Sequence, residues 1–360
     1  MGGIHLNLID SKAYRLTEPG EITEVMLQHE LSNGYVVIKP FLASVCHADL
    51  RYYTGQRRKN ALKEKLPMAL FHEGIGEVVL SRDDSLQVGQ KVVIVPTIPG
   101  RLLHERESEE TGRSIDDNYS KNGVFLGSGY DGIGQSQLIL PAENAIPIPK
   151  EVPDRIALLA ELNSVSLHAL RYVQDVLHEG RVAVFGDGPV GYLTAAMLHY
   201  IFKIPKEKLI VFGAVAEKLE QFKFASTYLV HNFDFKQYPN VTTVIECTGG
   251  RFSEQAINQA IDLIEPQGKM VLLGVTEEKV PINTRDLLEK GLTLYGSSRS
   301  TAKDFLQLME AFRSHEYQQA LRKLLPDQDY LIRHAEDMKK MMDETAEHKG
   351  WKKTVMAFEW

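Results

Sequence analysis

Over the first 150 residues the apolar side chains gather in short runs: YVVIKPFLASV (35–45), GIGEVVL (74–80), KVVIVPT (91–97) and SQLIL (136–140), with Gly, Pro, Asn and Asp between them. Runs of this length bounded by turn formers predict β-strands, and four of them in succession predict a β-rich, barrel-like body. The stretch from Gly100 to Asn122 interrupts the pattern. It is dense in Glu, Arg and Ser and poor in apolar residues, which predicts a surface excursion or partly mobile flap.

From Asp154 the period changes. RIALLAELNSVSLHALRYV (155–173) places apolar residues at helical spacing, and RVAVFG (181–186) follows as a buried strand. Further strands are expected at KLIVFGAV (208–215), TVIECTG (243–249), KMVLLGV (269–275) and LTLYGSS (292–298), with helical intervals such as SEQAINQAIDLI (253–264). Apolar strands alternating with helices predict a doubly wound parallel sheet covered on both faces. Beyond Ser300, DFLQLMEAFRSH (304–315) reads as an amphipathic helix, and KKTVMAFEW closes the chain as a strand like those of the first part. The expectation is an α/β protein with a β-rich domain over 1–153, a parallel-sheet domain over 154–300, and a segment 301–360 that returns to the first domain.

A chain of 360 residues with 43% hydrophobic and 25% charged residues fits two folded domains rather than one core or a disordered chain. The 41 basic residues against 48 acidic ones give a net charge of -7, with no basic tail, which argues against a nucleic-acid partner. No apolar run reaches the roughly 18 residues of a membrane span, and the first residues lack a signal-peptide pattern. Leu6 stands where a myristoylation signal wants Ser or Thr. Only two cysteines occur, Cys46 and Cys247, each inside an apolar run. That fits a reducing, cytoplasmic setting and leaves no four-cysteine structural zinc site.

Gly186, Gly188 and Gly191 form G-x-G-x-x-G directly after a strand and before the helix-like YLTAAMLHYIF. Such a turn lets a pyrophosphate approach bare backbone while helix N-terminal amides point at its oxygens, and Pro189 suits the first helical turn, followed by Val190. The motif predicts dinucleotide binding. The next strand ends at Gly213, Ala214 and Val215, with no acid to hold a free ribose, and Lys218 lies just beyond. NADPH is therefore favoured over NADH, although Lys218 reads equally as an ordinary helix-surface lysine.

Cys46, His72, Glu73 and Glu161 together make a feasible zinc ligand set, but residues so far apart in sequence specify little by themselves. A buried apolar thiol, a core histidine and a solvated helix-start glutamate remain open readings.

These residues acquire meaning from a resemblance. CHAD (46–49), HEGIGEVV (72–79), VGQKVVI (88–94), the Glu161 segment ending in LHA (167–169), GDGPVG (186–191) and ECTGG (246–250) occur in the order found in zinc-containing medium-chain dehydrogenases/reductases, and the chain resembles that family over nearly its whole length. The resemblance implies a GroES-like catalytic domain split between the N-terminal part and the C-terminal tail, with a Rossmann domain between. It also implies a catalytic zinc on Cys46, His72 and Glu161, with Glu73 as an interchangeable carboxylate beside the histidine and Asp49 as the acid supporting the site. Glu161 in place of a cysteine is similar to the polyol-dehydrogenase branch. The four-cysteine structural lobe is absent, Ala48 replaces the usual proton-relay Ser or Thr, and Cys247 falls on a structural strand position. A homodimer is expected through the segment 280–298.

ADLRYYTGQR (48–57), KLPMALFHEG (65–74), ELNSVSLHA (161–169) and EKGLTLYGSSRS (289–300) further resemble the ribitol-5-phosphate dehydrogenase branch. That branch implies NADPH-dependent reduction of D-ribulose 5-phosphate, supplying CDP-ribitol for teichoic acid or capsule, with functional coupling to a cytidylyltransferase. Arg51, Arg57, Lys121 and Arg299 are the candidate phosphate partners, each otherwise a solvated side chain. The alternatives are a sorbitol- or xylitol-like dehydrogenase of unphosphorylated polyols, and a non-catalytic relative, against which retention of the whole ligand set argues.

Overall fold

The structure, a computed structural model, describes residues 8–103, 115–236, 238, 240–347 and 350–360. Residues 104–114 of the polar stretch lie outside them. The chain divides into two compact units. The first runs to Glu161 and resumes over Ser300–Arg313 and Arg322–Trp360, and the second comprises Leu162–Arg299 and Ser314–Leu321.

The first unit contains strands β1 (Leu8–Glu18), β2 (Glu21–Glu30), β3 (Tyr35–Ser44), β4 (Met68–Ala69), β5 (Glu73–Ser81), β6 (Lys91–Ile94), β7 (Thr97–Ile98), β8 (Val124–Phe125), β9 (Leu138–Pro141) and β10 (Ala145–Pro147). The second contains β11 (Arg181–Phe185), β12 (Leu209–Gly213), β13 (Ser226–Leu229), β14 (Val241–Glu246), β15 (Lys269–Leu272) and β16 (Thr293–Gly296). The chain then returns to the first unit with β17 (Tyr330–Ile332) and β18 (Val355–Phe358).

The main sheet of the first unit runs β10-β6-β5-β3-β18-β17, with β9 also on β3. β3 is central to it: Val36, Val37, Ile38 and Ala43 are all buried, which explains its nearly unbroken apolar run. The final strand pairs antiparallel with it, Val355 opposite Ser44, so the C-terminal tail is carried to the end of β3. A smaller sheet, β2-β1-β4, starts with a long hairpin that the hydrophobic pattern does not reveal. β2 leaves nearly all its side chains half-buried or exposed, so its alternation is weak. The helix Ala335–Glu347 is likewise hidden in a charged run, with Met338, Met341 and Met342 forming its buried face. The expected helix over 304–315 is two helices, Ala302–Ala311 and His315–Arg322. The first opens on a reciprocal cap between Thr301 and Asp304.

The second unit is a six-stranded parallel sheet in the order β13-β12-β11-β14-β15-β16, the doubly wound Rossmann order. Its inner strands are largely buried, and Phe185 and Phe212 stack across β11 and β12 with centroids 4.8 Å apart. β16 lies at one edge.

Candidate active site

In the first unit, β3 ends at Ser44, and Cys46 is the N-cap of the short helix His47–Tyr53. Asp49 closes that cap, its Oδ2 accepting the Cys46 N–H at 2.9 Å. Its Oδ1 accepts the Phe71 N–H at 3.1 Å and stands 3.7 Å from His72 Nδ1. One buried carboxylate therefore ties the Cys46 turn to the start of β5. Phe71 holds φ 77, a left-handed conformation uncommon for a bulky residue, one position before His72.

The ligand atoms of Cys46, His72 and Glu73 all lie within 4.8 Å of one another. Glu161, on the helix Ala160–Leu170, falls outside that tight group but is 6% exposed and within electrostatic reach of His72 and Glu73. Burial pushes its carboxyl up to about 7, against the pull of His72. Burial opposes a charge on His72, yet Asp49 and Cys46 outweigh it and hold the imidazole well above its ordinary value. Burial also raises the Asp49 carboxyl, with His72 pulling the other way.

Glu73 differs from the others. Lys353 donates to its Oε1 at 2.9 Å and approaches Oε2 at 2.7 Å, and Ser44 Oγ donates to Oε2. Burial notwithstanding, Lys353 keeps the Glu73 carboxyl below its usual range. Lys353 Nζ also donates to the Val45 carbonyl at 2.8 Å. Although burial disfavours its charge, Glu73 and Cys46 hold Lys353 above its ordinary value.

Three buried carboxylates, Asp49, Glu73 and Glu161, thus surround a thiol and an imidazole with one ammonium between them. Buried charge is costly, and a bound dication would favour these groups in their anionic forms. His72 Nδ1 is buried without a hydrogen-bond partner, and thiolate, imidazole and carboxylate are zinc donors. The residues present fit a zinc ion.

Close to Cys46 the surface turns basic. Burial and the neighbouring Arg57 lower Arg51, and burial, Arg51 and Arg57 together lower His47. The Arg57 guanidinium sits 4.7 Å from the Tyr52 ring centroid, and Lys65 donates to Ser128 beside the same tyrosine at 3.1 Å. Lys121 is exposed. Arg299 belongs to the second unit, exposed after β16 with φ 62.

In the second unit the glycine turn joins β11 to the helix Pro189–Tyr200, with Gly188 at the N-cap and Pro189 at the first position. Gly186 adopts φ 125, and a Cβ on Gly191 would collide with the Gly186 carbonyl, so both positions require glycine. At the end of β14, Glu246 accepts the N–H groups of Thr248 at 2.7 Å, Gly249 at 3.3 Å and Gly274 at 3.2 Å, fixing two loops at once. Gly213 ends β12, with Ala214 and Lys218 following. No acid of that strand lies at its tip, but the Asp187 carboxylate reaches it from the glycine turn. Cys247 is half-buried, and desolvation pushes its thiol far up, as suits a structural residue.

Residues 32–150 match the alcohol dehydrogenase GroES-like domain and residues 205–314 the zinc-binding dehydrogenase family. Over 96% of this chain and 98% of the relative, the sequence is 37% identical to ribulose-5-phosphate reductase 1 of Staphylococcus aureus. The chain belongs to the zinc-binding medium-chain dehydrogenase/reductase family. The crystal structure of S. aureus TarJ in complex with NADPH superposes with a TM-score of 0.82 at 32% identity, covering 98% of this chain and 100% of that one. D-xylulose reductase of Saccharomyces cerevisiae is 27% identical over 86% of this chain and 88% of the relative.

In this dehydrogenase Cys46, His72 and Glu73 form the tight group, and Asp49 and Glu161 are buried within electrostatic reach of His72. The sequence reading missed Lys353, Ser44, His47, Asp187 and Glu246. For Lys353 a signal existed: a strand returning to the first unit would deliver the basic residues just before it to the end of a neighbouring strand. Among the described residues no helix is long and apolar enough to cross a membrane.

Proposed function

We propose that this dehydrogenase reduces D-ribulose 5-phosphate to D-ribitol 5-phosphate with NADPH, using one zinc held by Cys46, His72 and Glu161. The observation that carries the metal assignment is the convergence of the Cys46 thiol, the His72 imidazole and buried carboxylates, a zinc donor set. Glu73 is the weaker ligand because Lys353 and Ser44 already occupy its oxygens. Asp49 orients the Cys46 turn and faces His72. When bound, zinc supplies Lewis-acid polarisation of the substrate carbonyl, and the nicotinamide supplies hydride. Ala48 offers no hydroxyl, so the proton for the product oxygen comes from water, from a neighbouring carboxylate such as Glu73, or from the substrate's own hydroxyls.

Support for a phosphorylated ketose comes from the 37% identity to a ribulose-5-phosphate reductase against 27% to a D-xylulose reductase, and from the cationic group of Arg51 and Arg57 on the chain leaving Cys46. These two are the first choice for phosphate contacts. Arg299 is a further candidate and Lys121 the weakest. Two charge-assisted contacts of about 1.5 to 3 kcal/mol each amount to roughly a hundredfold to ten-thousandfold in selectivity. Gly186, Gly188, Pro189, Val190 and Gly191 bind the pyrophosphate, and Gly213, Ala214 and Lys218 face the adenosine ribose. We further assign a homodimer joined through the exposed edge of β16, a cytoplasmic setting, and a cytidylyltransferase as consumer of the product.

The test is a paired assay with NADPH. kcat/KM for D-ribulose 5-phosphate should exceed that for D-ribulose by at least about a hundredfold, and Arg51→Ala or Arg57→Ala should erode that ratio while zinc content stays constant. Equal kcat/KM for the two ketoses in the wild type would reject the phosphate reading and favour an unphosphorylated polyol substrate.

A further inference from the structure

In a Rossmann unit the tip of the second strand meets the adenosine ribose, through an acid carried there by the chain following that strand. Here β12 ends in Gly213, and Ala214 and Val215 supply none. A carboxylate nevertheless stands at this point. Asp187, the second residue of the glycine turn, reaches across from β11, and its Oδ2 accepts both the Ala214 N–H and the Val215 N–H at 2.8 Å. The parallel register explains the reach, because Phe185 lies opposite Phe212 and Asp187 emerges level with the first residues beyond β12. Gly213 is cut to fit: a Cβ there would come within 2.7 Å of Asp187 Cβ and 2.8 Å of its Oδ2. The side chain lies directly against bare backbone.

We propose that Asp187 sets how strongly this enzyme prefers NADPH to NADH, as a carboxylate lent to the ribose end of the cofactor site by the glycine turn. The inference rests on the nicotinamide-cofactor reading above. Two effects act in the same direction. A 2′-phosphate carries about two negative charges and is repelled by a carboxylate a few ångströms away. The Ala214 and Val215 amides are also the donors an anion would claim at this strand end, and Asp187 already takes both. A free 2′-hydroxyl meets no such repulsion and can itself donate to a carboxylate. Lys218, half-buried in the short helix Ala216–Leu219, supplies the opposing charge. The preference for NADPH is then a balance between Lys218 and Asp187, and Asp187 holds it below what a lysine-lined strand end would give.

The experiment compares 2′,5′-ADP with ADP as probes, by calorimetry on the zinc-loaded full chain, in wild type, Asp187→Asn and Asp187→Ser. The two variants remove the charge with and without keeping the side-chain shape, so a defect in one does not decide the outcome. The affinity ratio of 2′,5′-ADP over ADP should rise by about tenfold in both variants, with the NADPH-to-NADH ratio of kcat/KM following it. A residue that merely pins the turn would weaken both probes equally, and an unchanged or falling ratio would overturn the proposal. Wild-type protein that binds neither probe would overturn the cofactor reading and this proposal with it.

Discussion

The metal cluster and the glycine turn solve their problems by opposite means. The turn is local and made of backbone: Gly186 to Gly191 supply conformation and amides within one stretch of chain. The cluster is made of side chains drawn from four separate stretches around Cys46, His72, Glu161 and Lys353, and its working quantity is charge. Backbone geometry survives most substitutions outside the glycines themselves. A balanced set of buried charges does not survive the loss of one member, because the others remain buried without it.

The sharpest way to separate the two is to break one and read the other. Cys46→Ser or His72→Ala should lower reductase activity by at least about ten-thousandfold and abolish zinc retention, while NADPH affinity changes by less than about threefold. Elemental analysis alongside cofactor titration checks both halves. Joint loss of zinc and cofactor binding would mean that the two regions are not independent.

Lys353 probes the charge balance itself. Lys353→Met removes the ammonium paired with the buried Glu73 carboxylate and should destabilise the fold by about 3 to 5 kcal/mol in urea unfolding. Lys353→Arg should recover most of this, and Glu73→Gln added to Lys353→Met should recover part. A Lys353→Met protein as stable as the wild type would show that the ion pair has no such role.

How much of this could be read in advance follows the same division. The glycine turn is legible because a backbone demand leaves glycines in the sequence, and the parallel sheet is legible because strands buried on both faces are apolar throughout. Cys46, His72 and Glu161 become readable only through a family resemblance, since their separation in sequence carries no geometric information. Lys353 looks like a surface residue until the pairing of Val355 with Ser44 is known. Asp187 looks like turn filler, because its partners belong to the next strand. The β1–β2 hairpin escapes notice because β2 buries little, so polar residues dilute its alternation.

Two smaller effects sharpen the contrast further. Gly191→Ala should weaken NADPH binding by roughly 30- to 100-fold, as its Cβ meets the Gly186 carbonyl, yet leave zinc content untouched. Arg101→Ala removes exposed pairs to Asp117 and Glu143, about half-exposed on the arginine side, and should cost well under about 1 kcal/mol and no activity. A larger loss at Arg101 would show that surface charges matter here as much as buried ones.

The most direct test follows NADPH oxidation by D-ribulose 5-phosphate in the protein as purified, after exhaustive chelation, and after return of stoichiometric zinc. Activity should disappear with the metal and come back with it at about one zinc per chain, in parallel with formation of ribitol 5-phosphate. Undiminished turnover in the metal-free protein would contradict the account.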